Sequence, residues 1–540
     1  MPAPSVSAPA GASKYIAVAP IRLADTRPTA TSYGGFTNIS ASTIRVGVLG
    51  RPGVPDEATI AVLNVTIAEA SGWGYATVYA GGTPLPGTSS VNADAPGRVV
   101  ANMVHVMIGS NGAVDIFRSV PMHLIVDLVG VYVPVATDTT EGRLVTLAGG
   151  AYRVLDTRSG SPVFAGQTKS VDVAPAGIPS SASAVVVTVT AVTASRGFWS
   201  ALPSGEGFTG TSTLNLDGDG QTRAGQAIVN LDGTTLFDVY SERGGHLLVD
   251  VVGYFTGVTE ATSSIDGLFV PGPPARRLDT RQFSSLAPWS GSTFEFSVGA
   301  GALQVAAAAM NLTATSPWDL GYVTAYPAGV ARPNSSNLNI SAIPQTIANH
   351  AIVRVSNRGA ALFTYGGAHL IADVFGWYLG TPSVATLPVP TNPVFNPNDA
   401  VAVYVPKIGV YMPIAAGATT QTLNQVANLG YAAAWSTDHR VATPGNVMLF
   451  GHRTTHGGPF RYLNLLLPGD EFILVGQDGH WYHYTVVDQR VTAPVFSIIK
   501  AIAAPYGPMT SQLVACSKPN GTPTSVKHRI VITGRFTSVT

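Results

Sequence analysis

Cysteine is almost absent from this chain of 540 residues, which contains Cys516 alone and therefore forms no intrachain disulfide. A single cysteine also excludes zinc sites built from several cysteines, and it leaves either a buried apolar side chain or a reactive thiol. Charged residues are scarce at 11%, and 30 basic side chains balance 30 acidic ones, so the composition does not favour nucleic acid or an acidic membrane as a partner. Because no run of about 18 apolar residues occurs, the sequence predicts no transmembrane helix.

The abundant residues are those of short strands and tight turns. The chain has 58 Gly and 39 Pro, and apolar runs such as Val185–Val192 are β-branched, without the spacing of an amphipathic helix. This composition predicts an all-β protein of several domains.

Three copies of one pattern fill the first 380 residues. Each copy has an Arg-x-x-Asp-Thr-Arg phrase, which begins at Arg22, Arg153 and Arg276, and each closes on a strand-like run that begins with histidine. We predict three β-sandwich-like modules, with a closed pseudo-threefold arrangement of the three as the alternative. Their predicted limits are residues 14–136, 143–258 and 266–380.

The Asp-Thr-Arg triplets allow a functional and a structural interpretation. Three matching Asp and Arg residues could bind ions or sugars, but the structural role is favoured because Asp at a strand end commonly forms a local turn with backbone groups. We expect the triplet arginines to pair with an aspartate of the closing strand. For the closing-strand histidines, a structural role is favoured over a metal site. The triplet arginines are Arg27, Arg158 and Arg281, the closing-strand aspartates are Asp127, Asp250 and Asp373, and the closing-strand histidines are His123, His246 and His369.

Two segments are predicted to lie outside the folded domains. Residues 1–13 are rich in Pro, Ala and Ser, lack the basic and apolar regions of a signal peptide, and are predicted to be disordered. Residues 381–400 form a Pro-rich linker of partly extended chain. After the linker, residues 401–540 contain strand-like runs typical of a closed or nearly closed barrel, with short helices predicted near 423–427 and 460–466.

Five motifs of this last segment occur in an order that resembles the sortase family. They are Val405–Val410, Pro444–Arg453, Phe460–Asn464, Leu513–Cys516 and Arg529. The likeness is greatest to the class E and F sortases of actinobacteria and covers about the last quarter of the chain. It implies an eight-stranded β-barrel, so the predicted fold class is all-β, with three repeated sandwich-like modules followed by a sortase-like barrel.

The resemblance assigns catalytic roles to Cys516, His452 and Arg529. A thiolate attacks an amide carbonyl and forms a thioester, a histidine moves the proton of the departing and incoming amines, and an arginine steadies the oxyanion. Arg529 is preferred to Arg535 because it opens the last apolar strand. No cofactor and no metal are predicted. The chain departs from the family pattern at Ala515, where a threonine usually precedes the cysteine.

The resemblance also implies partners and a location. Expected substrates are proteins with a Leu-Pro-x-Thr-Gly-type sorting signal, the acceptor is an amine on the cell wall or a pilin, and the repeats could bind a glycan or a protein. No nucleic acid is expected. Leu85–Ser89 is only superficially similar to such a signal. The repeats resemble modules of secreted actinobacterial proteins, and we expect an extracellular or cell-surface location, with the signal or anchor segment not present in this chain.

Two other functions compete with a transpeptidase. The first is an adhesion or structural protein whose sortase-like unit is weakly active or vestigial. The second is an L,D-transpeptidase, which would need a Ser-x-Gly-Cys type motif that the sequence lacks.

Overall fold

The computed structural model of the chain describes residues 5–208, 210–259, 262–282, 287–288, 290–387, 400–417, 423, 427, 432–435, 441, 445–455, 458–477, 479–507, 509–523 and 525–540. These residues form two compact units, one from residues 1–281 and 291–391 and the other from residues 282–290 and 392–540. No helix in the described ranges combines the length and hydrophobicity of a membrane span.

The three repeats are built from strands and three-residue 3₁₀ helices. The first repeat contains β1 Ser13–Asp25, β2 Phe36–Asn38, β3 Thr43–Gly47, β4 Ile60–Ala68, β5 Gly74–Ala80, β6 Val91–Ala93, β7 Val100–Met107, β8 Ala113–Arg118 and β9 His123–Pro134. The second contains β10 Leu144–Thr146, β11 Tyr152–Asp156, β12 Gln167–Asp172, β13 Ala184–Ala194, β14 Gly197–Pro203, β15 Leu214–Leu216, β16 Gln221–Asn230, β17 Leu236–Ser241 and β18 His246–Phe255, with 3₁₀ helices Thr157–Ser159 and Ala174–Ala176. The third contains β19 Phe269–Asp279, β20 Thr293–Phe296, β21 Val305–Thr315, β22 Gly321–Pro327, β23 Leu338–Ile340, β24 Thr346–Arg354, β25 Ala360–Tyr365 and β26 His369–Leu379, with the 3₁₀ helix Thr280–Gln282.

Each repeat is a sandwich of an inner and an outer antiparallel sheet. In the second repeat the inner sheet has the order β10-β18-β13-β16, with β11 also paired to β18, and the outer sheet has the order β12-β17-β14-β15. The inner sheets of the first and third repeats join through β1 and β19 into one eight-stranded sheet. The predicted all-β class is confirmed.

The central inner strand of each repeat is buried on both faces, which explains its continuous apolar sequence. In β4, Leu63 and Val65 face the core of their own sandwich, whereas Ile60 and Val62 face a core shared by all three repeats. Equivalent residues of β13 and β21 contribute to the same shared core. The sandwich and the pseudo-threefold arrangement, predicted as alternatives, are therefore both present.

Polar side chains cross the shared core from one repeat to the next. The hydroxyls of Tyr132 and Tyr378 are 2.6 Å apart, and the rings of His105 and His350 stack with centroids 4.6 Å apart. His105 Nε2 lies 3.1 Å from the Tyr132 hydroxyl, and His350 Nδ1 lies 3.0 Å from Gln226 Oε1. Burial lowers the pKa of His105 to about 3, and burial together with repulsion from His105 lowers the pKa of His350. Both rings are therefore neutral at physiological pH.

The predicted ion pair between the first and last segments of each repeat exists, but the prediction chose the wrong arginine. Arg153, at the start of the phrase, binds Asp250 through two bonds of 2.9 Å, and Arg276 binds Asp373 in the same way. Arg22 pairs with Asp127. The triplet arginines instead bind their own aspartates, because the carboxylate accepts both the backbone N–H and the guanidinium of the residue two positions later. These local pairs are Asp25–Arg27, Asp156–Arg158 and Asp279–Arg281.

The two kinds of pair should differ in their contribution to stability. Arg153→Met leaves the buried Asp250 carboxylate without its partner, and we expect it to cost roughly 2–4 kcal/mol of unfolding free energy. Arg158→Met, the matched control, removes an exposed pair and should cost less than about 1 kcal/mol. Urea unfolding followed by pulse proteolysis would measure both, and equal losses would contradict the assignment.

The triplet threonine and the closing-strand histidine also contact each other in every repeat. The distances from Thr Oγ1 to His Nδ1 are 3.4 Å for Thr26 and His123, 3.2 Å for Thr157 and His246, and 3.2 Å for Thr280 and His369. These contacts support the structural role expected for the histidines.

Parts of the predicted tract and linker lie outside the described residues. Residues 1–4 and 388–399 belong to this group, as do most residues of the helix predicted near 423–427. Within the tract predicted to be disordered, Ser7 forms a β-bridge with Thr137, and Ala12 is buried.

The second unit contains a closed barrel in the order β27-β28-β29-β30-β33-β34-β32-β31. Its strands are β27 Ala400–Val405, β28 Val410–Gly417, β29 Ala432–Trp435, β30 Gly445–Phe450, β31 Glu471–Gly476, β32 Trp481–Thr492, β33 Met509–Ser517 and β34 His528–Val539. Helix α1, Phe496–Ala503, was not predicted; 3₁₀ helices cover Pro406–Ile408, Leu463–Leu465 and Ala504–Tyr506. The predicted eight-stranded barrel is confirmed.

Candidate active site

Two of the three predicted site residues lie on neighbouring strands of the barrel, and His452 follows the end of a third strand, β30, by two residues. Cys516 on β33 is directly opposite Arg529 on β34 in the antiparallel register. On its other side β33 pairs in parallel with β30, where Phe450 is the partner of Val514. The ladder continues one residue further, because Gly451 N–H donates to the Val514 carbonyl at 3.1 Å. His452, two residues after Phe450, therefore lies at the level of Cys516, and the cysteine stands between the histidine and the arginine.

The side chains of Cys516 and Arg529 belong to the outer face of the barrel. Met448, Val514 and Val531 pack together against helix α1, outside the barrel. Because side chains alternate along a strand, a step of two residues from these positions stays on the outer face. That step leads from Val514 to Cys516 and from Val531 to Arg529, whereas the intervening Ala515 and Ile530 face the barrel core. Cys516, His452 and Arg529 are each half-buried.

Helix α1 is fixed beside this site by a buried glutamine. Gln512 Nε2 donates to the Ile499 carbonyl of the helix at 2.9 Å, and Gln512 Oε1 accepts from Asn446 Nδ2 at 2.6 Å. The helix packs Ile499 and Ile502 onto the barrel and leaves Phe496 exposed. The ring of Phe496 lies 6.5 Å from that of Phe450, the residue two positions before His452. An apolar rim therefore borders the site.

Arg529 lies at the start of β34, and Arg535 lies six residues further along the same strand. Arg535 pairs with Thr510, six residues before Cys516 on β33, which places it about 20 Å along the strand from the cysteine. Arg529 Nη1 donates to the carbonyls of Val526 and His528 at 2.9 and 3.0 Å. These bonds hold the guanidinium on the loop that precedes its strand.

The glycine before His452 has a steric reason. A Cβ at Gly451 would lie 2.7 Å from the ring of Phe460, which is fully buried over it. The Phe460 N–H also donates to the His452 carbonyl at 3.0 Å. This contact between the Phe-Gly-His segment and the Phe460 motif fixes the chain that carries His452.

The residue that sequence analysis missed is Arg453. It is only 2% exposed, and it donates to the carbonyls of Cys516 at 3.3 Å, Gly521 at 2.9 Å and Arg461 at 2.8 Å. It also donates to Asn464 Oδ1 at 2.6 Å. Burial lowers the pKa of Arg453, and attraction to the Cys516 thiolate acts in the opposite direction. Strand alternation gave no signal for it, because Arg453 lies three residues beyond the end of β30.

The signal-like segment Leu85–Ser89 is tied into the first repeat. The Thr88 carbonyl accepts from Thr77 Oγ1 at 2.9 Å, and the Ser89 carbonyl accepts from Asn311 Nδ2 at 3.0 Å. The Ser335 carbonyl accepts a matching bond from Thr324 in the third repeat. The segment is therefore a structural element shared between repeats.

Comparison with known proteins places the barrel in a family. Residues 403–537 match the family model for the sortase domain. Sortase SrtE1 of Streptomyces coelicolor is 36% identical over 103 residues, which is 18% of this chain and 29% of the relative. The chain thus spans less than a third of the length of that curated relative.

Solved structures of sortases align with about a quarter of the chain. The crystal structure of sortase E1 from Streptomyces coelicolor with a tripeptide in the active site is 25% identical, with a TM-score of 0.22, and the alignment covers 27% of this chain and 93% of that one. The SrtA sortase from Actinomyces oris is 22% identical, with a TM-score of 0.23, over 28% and 87% of the two chains. Residues 403–537, with Cys516 on the penultimate strand, are therefore a sortase domain, a member of a family of cysteine transpeptidases.

Proposed function

We propose that the chain is a transpeptidase that cleaves a Leu-Pro-x-Thr-Gly-type sorting signal and transfers the new acyl end to an amine. The observation that supports the proposal is the strand register, which pairs Cys516 with Arg529 and brings the end of β30, two residues before His452, beside the strand of Cys516. We further propose domain limits at residues 14–136, 143–258, 266–380 and 401–540, a linker at 381–400 and an extracellular or cell-surface location. The acceptor would be an amine of the cell wall or of a pilin.

The residues divide the reaction between them. The Cys516 thiolate attacks the carbonyl carbon of the Thr–Gly bond, and Arg529 donates to the resulting oxyanion. The intermediate collapses when His452 protonates the departing glycine amine, which leaves a thioester on Cys516. An acceptor amine then attacks the thioester and gives a proton back to His452, so that a new amide forms and Cys516 leaves as the thiolate.

The apolar rim suits the leucine and proline of such a signal. Phe496 is 40% exposed and lies beside Phe450, which is two residues before His452. Its ring therefore offers an apolar surface that a leucine side chain would cover. We expect Phe496→Ala to raise KM roughly 10-fold with little change in kcat, because the lost contact is the same in the ground and transition states. Val539→Ala, which removes an exposed apolar side chain at the far end of β34, is the matched control. A change in kcat alone would contradict this role.

Cleavage of quenched fluorescent Leu-Pro-x-Thr-Gly peptides, with and without triglycine, tests the function. The parent chain should release fluorescence and form a triglycine adduct of the expected mass, whereas Cys516→Ala should do neither. Cleavage without an adduct in the presence of triglycine would make the chain a protease. No cleavage of any peptide by the parent chain would reject the proposal.

A second function, adhesion by the repeats, is favoured by one repeated surface feature. Each outer sheet carries an aromatic pair at equivalent positions on the face opposite its sandwich core: Tyr75–Phe117, Phe198–Tyr240 and Tyr322–Phe363. Solvent faces of sheets are usually polar, so three such pairs point to binding of a glycan or a protein. In co-sedimentation with purified peptidoglycan, the parent chain should pellet with the peptidoglycan, and the triple variant Tyr75→Ser, Phe198→Ser, Tyr322→Ser should stay in the supernatant. Equal amounts of both chains in the pellet would show that these rings do not contribute to binding.

A further inference from the structure

Arg453 is a buried arginine whose hydrogen-bond partners among the described residues are all neutral. Its hydrogen bonds go to three backbone carbonyls and one amide oxygen, and none of the ion pairs formed by the described residues includes it. A buried guanidinium normally lies against a carboxylate, because an unpaired charge is costly to remove from water. The positive charge next to Cys516 is therefore uncompensated by the described residues in the resting site.

The position of this charge relates it to the nucleophile. Arg453 Nη1 donates to the carbonyl of Cys516 itself, and Arg453 is buried whereas His452, the residue before it, is half-buried. A cation in a site with little water favours a nearby anion much more strongly than it would in solution. The anion that the proposed reaction creates there is the Cys516 thiolate.

The same guanidinium joins four segments of the domain. It connects the Cys516 strand end to the Gly521 turn, and it connects both to Arg461 and Asn464 around the 3₁₀ helix. The turn is closed locally by the Gly521 N–H, which donates to the Lys518 carbonyl at 3.0 Å. Since the turn follows the cysteine directly, Arg453 fixes the backbone on both sides of the nucleophile's carbonyl.

We infer that Arg453 is a positioning residue of the transpeptidase site, which holds the backbone of Cys516 and supplies the buried positive charge that favours its thiolate. This inference rests on the proposed function only for its effect on turnover. Its effect on the thiol is independent of any substrate. Arg453 acts through Cys516 and is separate from Arg529, which faces the reacting carbonyl in the proposed mechanism.

The test compares Arg453→Met and Arg453→Lys with the parent in the full chain, with Arg535→Met as a control for the loss of an arginine distant from the site. The probe is iodoacetamide, a small uncharged alkylating agent, and the readout is the rate of Cys516 alkylation between pH 5 and 9. We expect Cys516 of Arg453→Met to be alkylated roughly 10-fold more slowly near neutral pH. Arg453→Lys, which keeps the charge and loses the planar fork, should recover most of the alkylation rate.

Turnover of the fluorescent peptide gives the second readout. We expect both variants to lose kcat by roughly 10-fold or more with KM little changed, because lysine cannot make the four bonds at once. An unchanged alkylation profile in folded Arg453→Met would overturn the inference. If Arg453→Met does not fold, the inference would be overturned by Arg453→Lys and Arg453→Gln having the same dependence of Cys516 alkylation rate on pH. A parent chain that is alkylated normally but cleaves no peptide would reject the proposed function and leave the Arg453 inference open to the same alkylation test.

Discussion

Replacement of Arg529 by methionine should lower kcat for a Leu-Pro-x-Thr-Gly peptide by roughly 10²–10³-fold, the loss typical of one missing oxyanion donor. The geometry gives the reason, since Arg529 faces Cys516 directly across two hydrogen-bonded strands on the outer face of the barrel. Its guanidinium is held by the Val526 and His528 carbonyls through Nη1. A planar donor fixed in this way stabilises charge without having to reorganise during the reaction.

Arg535→Met is the matched control, because Arg535 is an exposed arginine on the same strand. It should leave kcat within about a factor of 3 of the parent. Steady-state kinetics on both variants, with thermal unfolding to check the fold, would decide the role. Equal losses for the two variants would show that general charge, and not the position opposite Cys516, accounts for the effect.

The shared core of the repeats should lose stability in weak acid because of its two buried histidines. An unfolded histidine binds a proton below its ordinary pKa of 6.5, whereas the pKa of folded His105 is about 3 and that of His350 is also lowered. The unfolded state therefore takes up more protons, and stability is lost as the pH falls below 6.5. Each histidine contributes about 1.4 kcal/mol per pH unit.

Buried carboxylates act in the opposite direction and make a variant necessary. Burial raises the pKa of Asp127 to about 6, so its protonation in the folded state stabilises the fold as the pH falls below that value. The pKa of Asp250 is also raised by burial. The histidine contribution must therefore be measured as a difference between chains.

The other repeats supply the substitutions. Ile228 is equivalent to His105, because its strand partner Val186 matches Val62, the partner of His105. Gln226 is equivalent to His350, because its strand partner Thr188 matches Asn311, the partner of His350. Between pH 7.5 and 5, the unfolding free energy of the double variant His105→Ile, His350→Gln should fall by roughly 3–4 kcal/mol less than that of the parent. Urea unfolding at the two pH values, followed by mass spectrometry of peptides from residues 5–387, would measure this difference. Identical acid sensitivity of parent and variant would contradict it.

The sequence was sufficient for the residues that define the chemistry of the site and insufficient for those that support it. Cys516, His452 and Arg529 lie in or beside apolar runs in a recognisable order, and in the structure Cys516 and Arg529 are register partners. Their catalytic roles remain proposals. Arg453 has no such signal, because its acceptors are backbone carbonyls that any residue could provide, and they are distant in sequence. The short helix α1 was missed since it spans eight residues and buries only Ile499, Ile502 and Ala503.

The same physical limit explains the ion pairs of the repeats. The sequence predicted that an arginine would join the first and last strands, but two arginines flank each phrase. Which arginine reaches the closing strand depends on the local contacts. The aspartate binds the arginine two residues after it, and the earlier arginine is then the one that pairs with the aspartate of the closing strand. Spacing alone did not distinguish these two outcomes.

The core shared by the three repeats limits how the number of repeats can change during evolution. Domains joined in series can be lost or duplicated one at a time, and each addition lengthens the stalk. Here Ile60, Ala184 and Ala307, one from each repeat, face the same interior, so removal of one copy would open the core of the other two. We therefore expect the copy number to be fixed at three, with a reach that does not grow by gene duplication.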